Sequence, residues 1–219
     1  CGGEDSLASQ QRFAAATNLN FVANEREMYS AMDTVHYRHI LMLRNSQDRY
    51  KSHWQHAYRN NKGVPHFRPW WERQPDNWNT RMICGTRCTS VAKYRLTEEL
   101  YNYTVDRLQL FEHHLFIDDY NQSFARFAKQ VGWNIMPIRI RRNSQRFKYP
   151  ESSQDLVWDS KMSALDDALY EISQNIDRGA VGDPRSLAQN TRHNLEEYFR
   201  QGPTMGCESP CCHDPCSIY

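Results

Sequence analysis

An α/β fold, with a parallel sheet flanked by helices, is what this sequence predicts. Three stretches carry the prediction. Ile40-Leu41-Met42-Leu43 is a short apolar run with the length and composition of a buried parallel strand. It stops at Arg44 and a polar turn, Asn45-Ser46-Gln47, and a helix follows from near Asp48 with Tyr50, Trp54 and Ala57 on its inner stripe. Residues 113–117 read as another strand; Asp118-Asp119-Tyr120 closes it, and a helix over 121–130 buries Phe124, Phe127 and Ala128. Residues 19–23 read as a further strand, and a helix over about 27–36 leads from it to the strand ending at Leu43. The span 19–43 is then one βαβ unit, which implies a parallel pair with a right-handed crossover.

The totals set bounds on this reading. A chain of 219 residues is long enough for one α/β domain with a real core. A net charge of +1 gives no global field for nucleic acid or an anionic membrane. Aromatic residues at 12% suit a folded domain. No apolar run approaches the ~20 residues that span a bilayer. The first residue is Cys1, which reads as a fragment or a processed product, with any signal or membrane anchor upstream.

The remaining elements follow in order. Residues 1–18 are polar, with one short helix over 6–16. The span 60–80 holds Pro65, Pro69, Pro75, Trp70, Trp71 and Trp78 without clean periodicity and reads as a long loop. Its aromatics either stack on a ligand or fasten the loop to the body, and His66, Arg68, Arg73 and Arg81 are weak candidates for an acidic acceptor. Residues 89–110 read as helical, with Thr97 capping the second part. Gly132 suits the C-terminal cap of the helix over 121–130. Arg139, Arg141, Arg142, Arg146 and Lys148 form the one strong local charge cluster, either a solvated basic loop or a clamp on phosphates or an anionic glycan. The span 162–175 is an amphipathic helix assigned to the core, and Asp183-Pro184 opens a last helix that Gly202-Pro203 stops.

Seven cysteines fall in clusters: Cys84 with Cys88, then Cys207, Cys211, Cys212 and Cys216 in the tail, with Cys1 apart. Such clusters point to disulfides and a secretory compartment. Zinc is the rival for the tail, with His213 as a further ligand, but its spacing is not a standard zinc pattern. Asn102-Tyr103-Thr104 and Asn121-Gln122-Ser123 are glycosylation sequons that agree with that compartment. His53 and His56 share a helix, but two histidines alone are weak grounds for a metal, and no metal site is assigned.

The strand–turn–helix at 40–54 is the strongest functional signal. A cationic turn between a strand end and a helix N-terminus suits an anion, because backbone N–H groups and the helix dipole both favour negative charge. Arg44 supplies a planar fork of donors, Ser52 a hydroxyl eight residues on, and Arg49 lies three before Ser52. The bland alternative is a strand–helix pair with solvated arginines.

This stretch resembles the 3′-phosphate-binding segment of sulfotransferases that use the sulfate donor PAPS. There a strand is followed by Arg, Asx, Pro, then Arg, Ser and an aromatic; here the series is Arg44, Asn45, Ser46, Arg49, Ser52 and Trp54, with Ser46 in place of the usual Pro. Residues 108–124, followed by Gly132-Trp133, resemble a recurring carbohydrate-sulfotransferase segment, closest to the Golgi galactose 3-O-sulfotransferases. The resemblance covers roughly residues 19–175.

The resemblance implies a P-loop-like, sulfotransferase-like α/β domain over 1–202 and a disulfide-rich C-terminal tail over 203–219. It implies that Arg44 and Ser52 hold the 3′-phosphate of PAPS, with Arg49 nearby, and that PAP is the product. It implies a glycan acceptor, a small nucleotide donor, no nucleic acid, a Golgi-lumenal or secreted location, and membrane attachment only through an upstream anchor. The loop that normally holds the 5′-phosphosulfate is not found before Leu19. Glu25, at the polar end of the 19–23 strand, is the candidate base, with His36 in reserve; a Glu there departs from the family's His. The competing readings are a noncatalytic secreted glycan- or protein-binding domain on the same fold and a different P-loop enzyme, such as a small-molecule kinase.

Overall fold

The computed structural model describes residues 38–60, 67–134 and 160–179, together with Ser186, Leu195, Glu196 and residues 198–200. The expected strand at 19–23, Glu25, His36, His66, the arginine cluster at 139–148 and the tail at 203–219 lie outside the described residues.

The sheet is a parallel pair, β1 (Ile40–Leu43) and β2 (His113–Phe116), in the register Ile40 to His113 through Leu43 to Phe116. The ladder runs one residue further at each end: the Glu112 N–H donates to the His39 carbonyl and the Ile117 N–H to the Leu43 carbonyl, both at 2.9 Å. The connection from β1 to β2 runs through α1 (Ser46–Asn60), α2 (Phe67–Glu72), α3 (Trp78–Cys84), α4 (Thr86–Thr89) and α5 (Glu98–Leu108). After β2 come α6 (Tyr120–Gln130), a 3-10 turn at Ser160–Met162 and α7 (Ala164–Asp177). A parallel pair flanked by helices is the α/β class that the apolar runs predict.

Among the described residues two clusters form the interior. The larger joins Leu43 and Phe116 of the sheet to Ile83 of α3, Val105 and Leu108 of α5, and Leu165, Leu169 and Ile172 of α7. The smaller is aromatic: Tyr50 and Trp54 of α1 meet Trp70 and Trp71 of α2, with Met162 beneath and Trp78 at the edge. The span 60–80 is therefore not the loop expected. It carries α2 and the start of α3, because its tryptophans bury against α1 and the Tyr50 hydroxyl donates to the Pro75 carbonyl at 2.6 Å. The helix expected over 89–110 is shorter for a local reason. Tyr94 takes a left-handed φ of 61°, and α5 starts only where the Thr97 hydroxyl accepts from the Leu100 N–H.

The N-termini of α3 and α7 cap each other. Asp166, in the first turn of α7, accepts from the Asn79 N–H (2.9 Å), the Thr80 N–H (2.7 Å) and the Thr80 hydroxyl (2.8 Å). Asn77, just before α3, accepts on Oδ1 from the Leu165 N–H (2.9 Å) and the Asp166 N–H (3.3 Å). Each helix thus supplies the acceptor for the orphan donors of the other. Asn77 is held left-handed, with φ 48°, and its own N–H donates to the Met162 carbonyl. Its Nδ2 donates to Asp76, which also takes Arg81 at 2.5 Å and the Tyr198 hydroxyl at 2.7 Å. Arg81 is buried and makes five hydrogen bonds, to Asp76 and to the Cys88, Val91 and Ala92 carbonyls, so it serves the fold and not an acceptor. A disulfide between Cys84 and Cys88 pins the same corner.

Asp166→Ala strands the buried Thr80 N–H and hydroxyl and the part-buried Asn79 N–H, and urea denaturation should show a loss of about 3 to 5 kcal/mol. Burial also pushes the Asp166 carboxyl from 3.8 up to about 6, against the pull of the Thr80 and Asn79 amides and of Arg49. Between about pH 4 and pH 6 the folded state then binds the extra proton, so this group's contribution to stability falls as pH rises through that window and is level above it. Stability measured across the window should show that fall in the wild type and lose it in Asp166→Asn. Separately, the Cys84→Ala/Cys88→Ala double variant should lower stability by about 2 kcal/mol, read as an earlier urea midpoint, since the closed loop is short.

Candidate functional site

The two strands end side by side, and their carboxyl ends carry the polar groups. In an open parallel sheet this is where ligands bind. Arg44 follows β1 directly, and α1 begins two residues later. Asn45 is the N-cap of α1: its Oδ1 accepts from the Asp48 N–H at 3.3 Å and its carbonyl from the Arg49 N–H at 2.9 Å. That cap starts the helix at Ser46, two residues before the position expected from the sequence.

Asp118 closes β2 and faces this turn. Its Oδ2 accepts from the Asn45 N–H at 2.6 Å and from the Tyr170 hydroxyl at 3.1 Å, and its Oδ1 lies 3.9 Å from Arg44 Nε. The Arg44 side chain is 30% exposed, and its Nε is buried without a hydrogen-bond partner among the described residues. Asn79 at the start of α3 donates from Nδ2 to the Arg44 carbonyl at 3.4 Å. Tyr170 reaches over from α7 with its ring edge-on to Phe116 at 5.2 Å. Burial, then Asp118, push its phenol up to about 12, so it remains a donor.

The other residues expected at the site sit differently. Arg49 turns into the aromatic cluster, its guanidinium 4.2 Å from the Tyr50 ring centre and 4.8 Å from that of Trp78. Its charge also acts on the buried Asp166 carboxyl, against the upward push of burial. Ser52 is half-buried on α1, two turns after its start. His53 lies edge-on to Trp70 and Trp78, and burial holds its imidazole below the usual range. Among the described residues no group of three or more His, Cys, Asp or Glu is placed to hold a metal, and no helix is long and apolar enough to cross a membrane.

The histidines of β2 are interior groups. His114 is buried, which holds it below the usual imidazole range, and its Nε2 donates to the Leu108 carbonyl at 3.3 Å. His113 lies edge-on to Phe127 at 5.0 Å. Both sequon hydroxyls have structural work. Thr104 donates to the Leu100 carbonyl, and Ser123 accepts from the Phe116 N–H, while Asn102 and Asn121 are exposed. A hydroxyl at each position is therefore explained by the fold.

Sequence reasoning placed Arg44 at the strand end but missed Asp118 as its neighbour and assigned the stretch containing Tyr170 to the core. The acidic pair that closes β2 was visible. What was not visible is the parallel register that sets Phe116 beside Leu43 and so Asp118 beside Arg44 and Asn45. No family model, curated protein or solved structure matches this chain.

The two arginines should separate on substitution. Arg49→Ala removes a stacked side chain from the aromatic cluster and the cation acting on Asp166, and should cost about 2 to 3 kcal/mol in chemical denaturation. Arg44→Ala breaks only a long, partly exposed pair and should cost less than about 1 kcal/mol.

Proposed function

We propose that this chain holds the 3′-phosphate of PAPS and belongs to a sulfotransferase that acts on a carbohydrate hydroxyl in the Golgi lumen. The observation that carries this reading is Arg44. It stands at the carboxyl end of a parallel strand, directly before the N-terminus of a 15-residue helix, with its Nε buried and not hydrogen-bonded among the described residues. A phosphate there gains a guanidinium fork and a helix N-terminus together. Ser52, further along the same helix, is the proposed hydroxyl ligand. Arg49 contributes charge from within the aromatic cluster.

In the proposed reaction an acceptor oxygen attacks the sulfur of PAPS and the bond from sulfur to the 5′-phosphate oxygen breaks. The products are a sulfate ester and PAP, and the acceptor's proton passes to a base, for which Glu25 is proposed. Arg44 grips the distal phosphate, and that grip orients the donor so that the sulfur lies in line with the acceptor. The Cys84–Cys88 disulfide supports an oxidising compartment. The second reading, a noncatalytic glycan- or protein-binding domain, draws on a specific observation: Arg44 already faces Asp118, and Arg49 is already stacked.

Thermal denaturation in the presence of PAP separates the two. A ligand that binds only the folded state stabilises it by about 2.7 kcal/mol at a hundred times Kd. The melting midpoint of the wild-type chain should rise with PAP concentration, and in Arg44→Ala the rise should vanish. A folded wild type whose midpoint ignores PAP would leave the noncatalytic reading in its place.

A further inference from the structure

One carboxylate ties three segments together at the strand ends. Asp118 follows β2, its Oδ2 takes the Asn45 N–H of the β1–α1 turn, and the same oxygen takes the Tyr170 hydroxyl of α7. Its other oxygen faces Arg44 Nε at 3.9 Å. That spacing is too long for a hydrogen bond and short enough for a directed attraction. A long arginine side chain at a partly exposed site otherwise samples many rotamers, and ordering them on binding costs free energy. A fixed anion beside Nε restricts the guanidinium before any ligand arrives. Asp118 is itself fixed, because two hydrogen bonds hold Oδ2 and leave Oδ1 turned to the arginine.

We propose that Asp118, steadied by Tyr170, is a positioning residue that aims Arg44 at the 3′-phosphate; this rests on the PAPS reading above. Asp118 has no part in bond making. Its negative charge also opposes a phosphate, but that charge is met first by Arg44 and by the two donors on Oδ2. The orienting effect acts through the closer, opposite charge on Arg44.

Calorimetric titration of the full chain with PAP and with 5′-AMP, which lacks the 3′-phosphate, tests this. Asp118→Asn keeps an acceptor for the Asn45 N–H and the Tyr170 hydroxyl and removes the charge facing Arg44. It should bind PAP about tenfold more weakly, a change of about 1.4 kcal/mol, and bind 5′-AMP as the wild type does. Arg44→Ala should lose the preference for PAP over 5′-AMP, and Arg44→Ala/Asp118→Asn should be no weaker than Arg44→Ala alone, because the two residues act through one contact. A folded Asp118→Asn that binds PAP and 5′-AMP more weakly to the same degree would overturn the proposal. So would wild-type PAP affinity in Asp118→Asn, or losses that add in the double variant. Should Asp118→Asn not fold, Tyr170→Phe carries the test: it keeps the ring on Phe116, frees Asp118, and should weaken PAP about threefold while sparing 5′-AMP. Equal PAP affinity in Tyr170→Phe would then overturn the proposal. A wild type that fails to prefer PAP over 5′-AMP overturns the PAPS reading and this inference together; a wild type that does, beside variants without effect, overturns this inference alone.

Discussion

The exchange of caps between Asn77 and Asp166 is the contact on which the rest of this structure depends. Two helices whose first turns are 86 to 89 residues apart in sequence satisfy each other's backbone donors inside the protein. Neither side chain has water to fall back on, since both residues are fully buried. A buried N–H without an acceptor costs about 1 to 3 kcal/mol, so separating the two ends would strand several such groups at once. The neighbouring groups deepen the constraint. Asp76 anchors the Asn77 amide, Arg81 holds Asp76, and Tyr198 closes the second Asp76 oxygen. The Asp166 carboxylate faces two helix N-termini and feels the Arg49 charge, which offset part of its burial.

The site at the strand ends inherits its geometry from that corner. Asp166 fixes the start of α7, and Tyr170 lies four residues on, one turn along the same helix. The Tyr170 ring settles against Phe116 and its hydroxyl against Asp118. From the other side, Asn79 in the first turn of α3 reaches the Arg44 carbonyl while its own N–H is held by Asp166. The turn between β1 and α1 is therefore braced through α7 and through α3, and both braces lead back to Asp166. A residue with no contact to any ligand site thereby controls where Arg44 begins.

Much of the fold was legible because its signals are local. The apolar runs ending at Leu43 and Phe116, the Thr97 cap and the stripe of Leu165, Leu169 and Ile172 on α7 each depend on residues close in sequence. The Trp-rich span was misread for the opposite reason. No periodicity marks α2 and α3, since their order comes from packing on Tyr50 and Trp54 and from a cap supplied by a distant helix. Arg44 was legible as a cation at a strand end. Its relation to Asp118 was not, because only the parallel register brings the ends of β1 and β2 together. Arg49 shows the same limit: its spacing from Ser52 suggested one shared face, but the guanidinium lies against Tyr50 and Trp78.

Arg44 is satisfied differently from Arg81, Arg107 and Arg126. Arg81 directs five hydrogen bonds into the interior, and Arg126 donates twice to Asp177 with Asp119 at 3.7 Å. Arg107 donates to the Tyr103 hydroxyl. In each case the fold has used the fork that makes arginine a good phosphate ligand. Arg44 differs: its Nε is shielded from water, yet its nearest described acidic oxygen is 3.9 Å away. A buried donor without an acceptor is a cost that folded proteins usually remove. Its persistence at the mouth of a parallel sheet, ahead of a helix N-terminus, is what an anion arriving from outside would relieve.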